Sequence, residues 1–227
     1  AGETRVTLNS YYGVTTVARK YDMFNAEEYA TMRDAAGFTD GYQPEEIEGM
    51  ALGRNTDWQE LMYENGIITN HNIGVSGGSE HGRYAVSGGY YKETTTLPGQ
   101  DFSRYSIKTT FDNKIGNRVN VGLNSLNSMS YTNGSQFVNQ QPDTPDGFGG
   151  GLMYPILSMS PLMPAYDENG EIFKTPAGNQ TDRTQQYNPL LLKDNDNEWT
   201  DRIRRLRSFN SAFAEVEIIK GLKYRFN

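Results

Sequence analysis

Along most of the chain apolar residues alternate with small or polar ones, the period-2 pattern of strands with two unlike faces. Residues 5–15 set Val6, Leu8, Tyr12 and Val14 against Arg5, Thr7, Asn9 and Gly13. The stretch NHNIGVSGGSEHGRYAVSGGYYKE, residues 70–93, reads as a hairpin: strands 69–78 and 83–93 flank a turn at Ser79, Glu80, His81 and Gly82. Residues 102–112 place Tyr105, Ile107, Thr109 and Phe111 opposite Arg104, Ser106, Lys108 and Asp112. Residues 118–131 place Val119, Val121 and Leu123 opposite Asn120, Gly122 and Asn124. A sixth run, 206–219, alternates Ala212, Ala214, Val216 and Ile218 with Ser211, Glu215 and Glu217, and a seventh opens at Leu222 with Tyr224 and Phe226. Most of these runs reach about ten residues, against about five or six for an ordinary strand.

That length raises the question of solvent. A strand that crosses a bilayer needs about 9–11 tilted residues, apolar toward lipid and polar toward the lumen. A soluble sheet with one wet face alternates in the same way. The connections favour the membrane. SGGSEHG, DNKIGN and IKGLK are tight turns, whereas the alternate connections are the long segments 16–68 and 132–203 and the shorter TTTLPGQD. Tight turns at one end and extended loops at the other are the asymmetry of an outer-membrane barrel. Tyr11, Tyr12, Tyr90, Tyr91, Tyr105 and Tyr131 fall toward strand ends, as an interfacial girdle requires, although tyrosine is also a good strand residue in its own right. On this reading Val75, Val86, Ile107, Val121 and Val216 meet lipid, while Arg104, Lys108, Asn120, Asn124 and Glu215 face the lumen.

Composition removes several function classes. The 227 residues are 36% hydrophobic and 12% aromatic, with no Cys and a net charge of −7. That charge argues against a nucleic-acid surface, and the lack of Cys excludes a disulfide framework or a thiolate metal site. No run approaches the roughly 18 apolar residues of a transmembrane helix, and AGETRVTLNS has no signal-peptide core. There is no HExxH, GxSxG or P-loop, so no catalytic residue is assigned and no enzyme is expected. His71 and His81 are too few for a metal site. The stretch LKDNDNEWTD spaces Asp194, Asp196 and Glu198 like half a calcium loop, but Trp199 and Arg205 stand where an EF-hand needs Gly and Glu. A looser Ca²⁺ site between loops stays open; no other cofactor is expected. YDENGEIF has the turn chemistry to join Ala165-Tyr166 to Ile172-Phe173 as a small hairpin.

The residues also resemble a family. Asp57-Trp58, Asn70-His71-Asn72, Ser76-Gly77-Gly78, Arg83-Tyr84, Ser87-Gly88-Gly89-Tyr90, Arg104-Tyr105-Ser106 and RVNVGLN at 118–124 occur in an order similar to the early barrel strands of SusC/RagA-type TonB-dependent outer-membrane transporters of Bacteroidetes. VTLNSYYGV looks like the family's first barrel strand and FNAEEYATM like the short helical piece after it; Asn188-Pro189-Leu190 and Gly221-Leu222-Lys223 continue the likeness. The resemblance implies an all-β fold. Residues 1–227 would be the N-terminal part of a large antiparallel transmembrane barrel, about the first seven of some 22 strands. Long extracellular loops with short helical pieces would join them, and the plug and the remaining barrel would lie outside this chain.

Its functional implication is active, TonB-coupled import of oligomeric nutrients, glycans or peptides, across the outer membrane. TonB would act through a segment absent from this chain, and a SusD-like lipoprotein would serve as surface partner. A surface β-sheet adhesin without transport is the alternative. The loop aromatics Trp58, Phe148, Tyr154, Tyr166, Tyr187 and Trp199 are the candidates for stacking on a sugar or peptide. Phe148, Met153, Tyr154, Ile156, Leu157, Leu162 and Met163 form a run too apolar to stay in water. They are the candidate partner contact, with packing against the barrel mouth or plug as the other outcome.

Overall fold

Every run of alternation is a strand in the computed structural model, which describes residues 2–37, 41–134, 153–174, 188–193 and 202–227. The strands are β1 (Arg5–Thr15), β2 (Gly66–Gly78), β3 (Gly82–Thr94), β4 (Asp101–Ile115), β5 (Val119–Asn133), β6 (Arg202–Ile219) and β7 (Leu222–Phe226). They form one antiparallel sheet in sequence order, so each inner strand is paired with the strand before and after it. Two strands start several residues before the alternation suggests, β2 at Gly66 and β6 at Arg202. RIRR looks too charged for a strand, yet its ladder to β5 continues to Asn133↔Arg202, and those backbone bonds hold the segment extended. The last turn reverses at Gly221, whose φ of 86° suits glycine alone.

The register fixes the faces. Leu8, Ile73, Gly88, Ile107, Asn127 and Ser208 lie in one cross-strand row; Thr7, Gly74, Ser87, Lys108, Leu126 and Phe209 lie in the neighbouring row, on the opposite face. Val75, Val86, Ile107, Val121 and Val216 therefore share the first, apolar face, while Arg104, Lys108, Asn120, Asn124 and Glu215 share the second. Charge separates the faces more sharply than hydrophobicity does. On the apolar face the charged strand residues are Lys92, Asp101, Arg202 and Arg204, all in the two rows nearest the long loops. The polar face carries Arg104 and Arg205 near the loops, Lys108 midway, and Arg83, Asp112 and Glu215 near the turns.

Polar residues do enter the middle of the apolar face, but they close on one another. Ser125 Oγ donates to Asn210 Oδ1 (2.6 Å), Asn210 Nδ2 to Ser208 Oγ (2.8 Å), Ser208 Oγ to Asn127 Oδ1 (2.5 Å) and Asn127 Nδ2 back to Ser125 Oγ (2.8 Å). Each hydroxyl in this ring gives one hydrogen bond and takes one, which lowers the cost of holding it in an apolar surrounding.

Among the described residues, neither face of the sheet is packed against a core. The buried apolar side chains among the described residues are Trp58, Met62, Ile156, Met159, Leu162, Met163 and Leu190, all in the loops. On the sheet, Leu8 is 70% and Ile107 51% exposed.

Candidate functional site

The described parts of the two long loops join at one end of the sheet. Segment 16–65 contributes α1 (Ala26–Ala35), α2 (Pro44–Leu52) and α3 (Trp58–Met62); segment 153–193 contributes α4 (Met153–Ser158) and α5 (Leu190–Lys193). The sequence starts these helices with good caps. Asn25 Oδ1 accepts from the amides of Glu27 and Glu28 while Glu28 accepts from Asn25, a capping box, and Asp57 accepts from the Glu60 amide. Pro44 opens α2, and Gly53, with φ of 64°, closes it.

Between α1 and α2 sits a buried ion pair. Arg33 Nη1 donates to both carboxylate oxygens of Glu46 (3.1 and 2.9 Å), Nη2 donates to Gly41 O (2.6 Å), and the guanidinium lies 4.6 Å from the Tyr42 ring centre. Burial is the largest single influence and works against the Arg33 charge, but the Glu46 carboxylate and Tyr29 together outweigh it and hold the guanidinium above its ordinary value. Burial also raises the Tyr42 hydroxyl, with its hydrogen bond to Asp34 acting in the same direction.

The loops fuse through a small core of Trp58, Met62, Ile156, Met159, Met163 and Leu190, with Leu61, Leu97, Ile172 and Phe173 packed around it. Trp58 Nε1–H donates to Ser160 O (3.0 Å), Thr56 Oγ1 to Met163 O (2.7 Å) and Arg54 Nη1 to Leu162 O (3.1 Å). The YDENGEIF stretch forms the expected hairpin, with Tyr166 bridged to Ile172 and the Phe173 amide bound to Ala165 O. Asn188 pins it by donating to Ala165 O and Phe173 O.

This packing redistributes the expected site residues. Trp58, expected to stack on substrate, is 4% exposed and builds the core of the cap. Ile156, Leu162 and Met163, expected at a partner contact, are likewise buried in the cap. Met153 and Leu157 are half-buried. Tyr154 and Tyr166 keep exposed rings. Phe148, Tyr187 and Trp199, with the acidic Asp194, Asp196 and Glu198, lie outside the described residues. Among those described, no group of acidic or histidine side chains is arranged to hold a metal. Sequence reasoning missed Arg205 and Arg207, which stand with Arg104 and Lys108 on the polar face. The alternation of RIRRLR was the available signal, hidden by its charge density.

Comparison with known proteins agrees with this geometry. No family model matches the chain. It is 29% identical over 219 residues, 96% of its length, to TonB-dependent receptor P3 of Formosa agariphila, and 21% identical over 166 residues, 71% of its length, to TonB-dependent receptor SusC of Bacteroides thetaiotaomicron. The chain is thus similar in sequence to TonB-dependent receptors, SusC among them. It spans 20% of the length of the first relative and 14% of the second. Among solved structures, the RagAB peptide importer in its open-open state superposes with a TM-score of 0.71 over 99% of this chain and 27% of that one, at 19% identity. A second structure, of the RagAB peptide transporter, gives 0.70 over 98% and 27% at 18% identity. Those likenesses establish the fold. In the barrel wall of such a receptor the apolar face is the outer surface and the polar face lines the lumen.

Proposed function

We propose that this chain forms a sector of the wall and mouth of an active importer of oligomeric nutrients, glycans or peptides. Uptake is energised through TonB, and the loop cap works beneath a SusD-like surface lipoprotein. The observation that carries the reading is the pairing of a charge-lined luminal face with a folded cap on its loop end. A wall with charge at every depth suits a water-filled passage, and a cap with its own core can hold a shaped surface at the entrance. Of the expected stacking aromatics, Tyr154 and Tyr166 keep rings free to stack on cargo there.

The test is uptake in cells that carry the receptor, using fluorescent oligosaccharides and peptides of graded length. Import should need both TonB and the proton gradient. Binding at the cell surface without any TonB-dependent accumulation would leave only a surface-binding role and sink the importer reading.

A further inference from the structure

The outer wall carries a shallow apolar groove of about 760 Å³ that import does not use. Its floor is Gly88, flanked by Ile73 and Ile107, and its loop-side bank is built from Tyr90, Met129 and Leu206. All six belong to the outward face. The glycine makes the groove: a Cβ built there would meet only Ile73 Cγ2, at 3.9 Å, with open space beyond.

One pleat nearer the loops the same face turns cationic. Lys92 stands above Tyr90 and Arg204 above Leu206, with Ser103 and Tyr131 between them on β4 and β5. Neither cation forms an ion pair or hydrogen bond with another described residue, whereas neighbouring Arg202 donates to Asn133 Oδ1 (3.1 Å), which in turn is tied to Asp101. The two side chains are three strand spacings apart, about 14 Å, so both reach toward one headgroup-sized area. Below them, the face holds no charged strand residue down to the turns.

We infer that this patch is a binding site for an acylated, phosphate-bearing lipid of the loop-side leaflet. One acyl chain lies in the groove over Gly88, and the phosphate is held by Lys92 and Arg204. Apolar relief at hydrocarbon depth and unpaired cations one pleat higher match the two ends of such a lipid. Basic residues at headgroup level attract anionic lipid, and aromatic rings at that level favour the interface. A second copy of the chain would gain nothing from two like-charged rims set face to face. The inference requires only that this face meets lipid, not that the receptor imports.

Native mass spectrometry of the whole receptor, purified from its outer membrane in mild detergent, tests it, with phosphate analysis of the extracted lipid. The wild-type receptor should retain a phosphate-bearing lipid through detergent exchange. Lys92→Gln combined with Arg204→Gln should weaken retention about 30-fold, since each cation at the surface contributes comparably. Gly88→Leu, which fills the groove and leaves the cations in place, should also release the lipid, while luminal Lys108→Gln should keep it. The Lys92/Arg204 pair lies outside the hydrocarbon and should fold normally, so that variant decides the matter even if Gly88→Leu assembles poorly. A lipid-free wild-type receptor would overturn the site, as would equal retention by the double variant. So would a stable receptor dimer that buries the groove without lipid.

Discussion

Placing arginine at position 107 measures which face of the wall meets the bilayer. On β4, Ile107 lies four residues from Phe111 toward the turns and four from Ser103, whose row carries Tyr131, toward the loops. At about 3.4 Å per residue and a strand tilt of about 40°, each interval is about 10 Å along the membrane normal, which puts Ile107 near the midplane of an apolar band about 25 Å tall. A charge there should cost about 2–4 kcal/mol. The next residue, Lys108, points into the lumen, and Lys108→Ser should change stability by no more than about 0.5 kcal/mol. Both variants can be read as heat-modifiable mobility on gels after urea titration of the whole receptor in lipid vesicles. Ile107→Arg should lower the urea midpoint clearly and Lys108→Ser should not. Equal tolerance at the two positions would refute the assignment of faces.

The polar ring makes a second test: Asn210→Ala leaves Ser125 and Ser208 each short of a partner in the outer wall and should cost about 1–3 kcal/mol, whereas alanine at Ser125, Asn127, Ser208 and Asn210 together should be nearly neutral. The same urea titration distinguishes the two, and a larger loss for the quadruple variant would contradict the ring's role. Met62 is 0% exposed at the centre of the cap, so Met62→Ala should cost the cap about 2–5 kcal/mol. Hydrogen exchange should then speed up at 153–163 while β2 to β5 stay protected; slowed or unchanged exchange in the cap would count against a separate loop core. Burial raises the Tyr63 hydroxyl, with Tyr21 adding to it. A raised folded value means stability is complete below the ordinary tyrosine range near about 10 and falls as pH rises through the folded value, so tyrosinate absorbance at alkaline pH should appear together with cap exchange. Protease added to intact cells should cut exposed parts of the long loops and spare Glu80-His81 and Lys114-Ile115 at the turns; cleavage at Glu80 with the loops intact would invert the topology.

The sheet was legible because one physical rule governs every residue of it. A side chain on a wall strand faces either lipid or lumen, so period two survives through all seven strands, and the tight turns fix the neighbours. Ser125, Asn127, Ser208 and Asn210 break that rule on the outward face, and their reason lies in a pairing between β5 and β6 that sequence distance hides. The cap was far less legible. Trp58 and Leu162 look alike in sequence to exposed loop hydrophobes; what buries them is a contact between segments about a hundred residues apart, seen in the Trp58 indole bound to Ser160 O with |i−j| of 102. No local periodicity carries such a contact. What was readable there was local: the hairpin at Tyr166 and Ile172, whose turn residues are adjacent, and the short helix that opens at Ala26.

Alternation alone does not separate a barrel wall from a soluble sheet with one wet face, but two features of the sheet do. A soluble sheet buries its apolar face, whereas among the described residues no layer packs over Leu8, Ile73, Ile107 and Phe111. Such a sheet also tolerates an occasional charge at the margin of its buried face at any height, since water lies beyond every edge. In this wall the outward charges Lys92, Asp101, Arg202 and Arg204 stop together at one level, while luminal charge continues from Arg104 through Lys108 to Asp112. A boundary that applies to one face and not to the other requires two different solvents. Hydrocarbon outside and water inside supply them, and the level at which the outward charges stop is the height of the lipid headgroups.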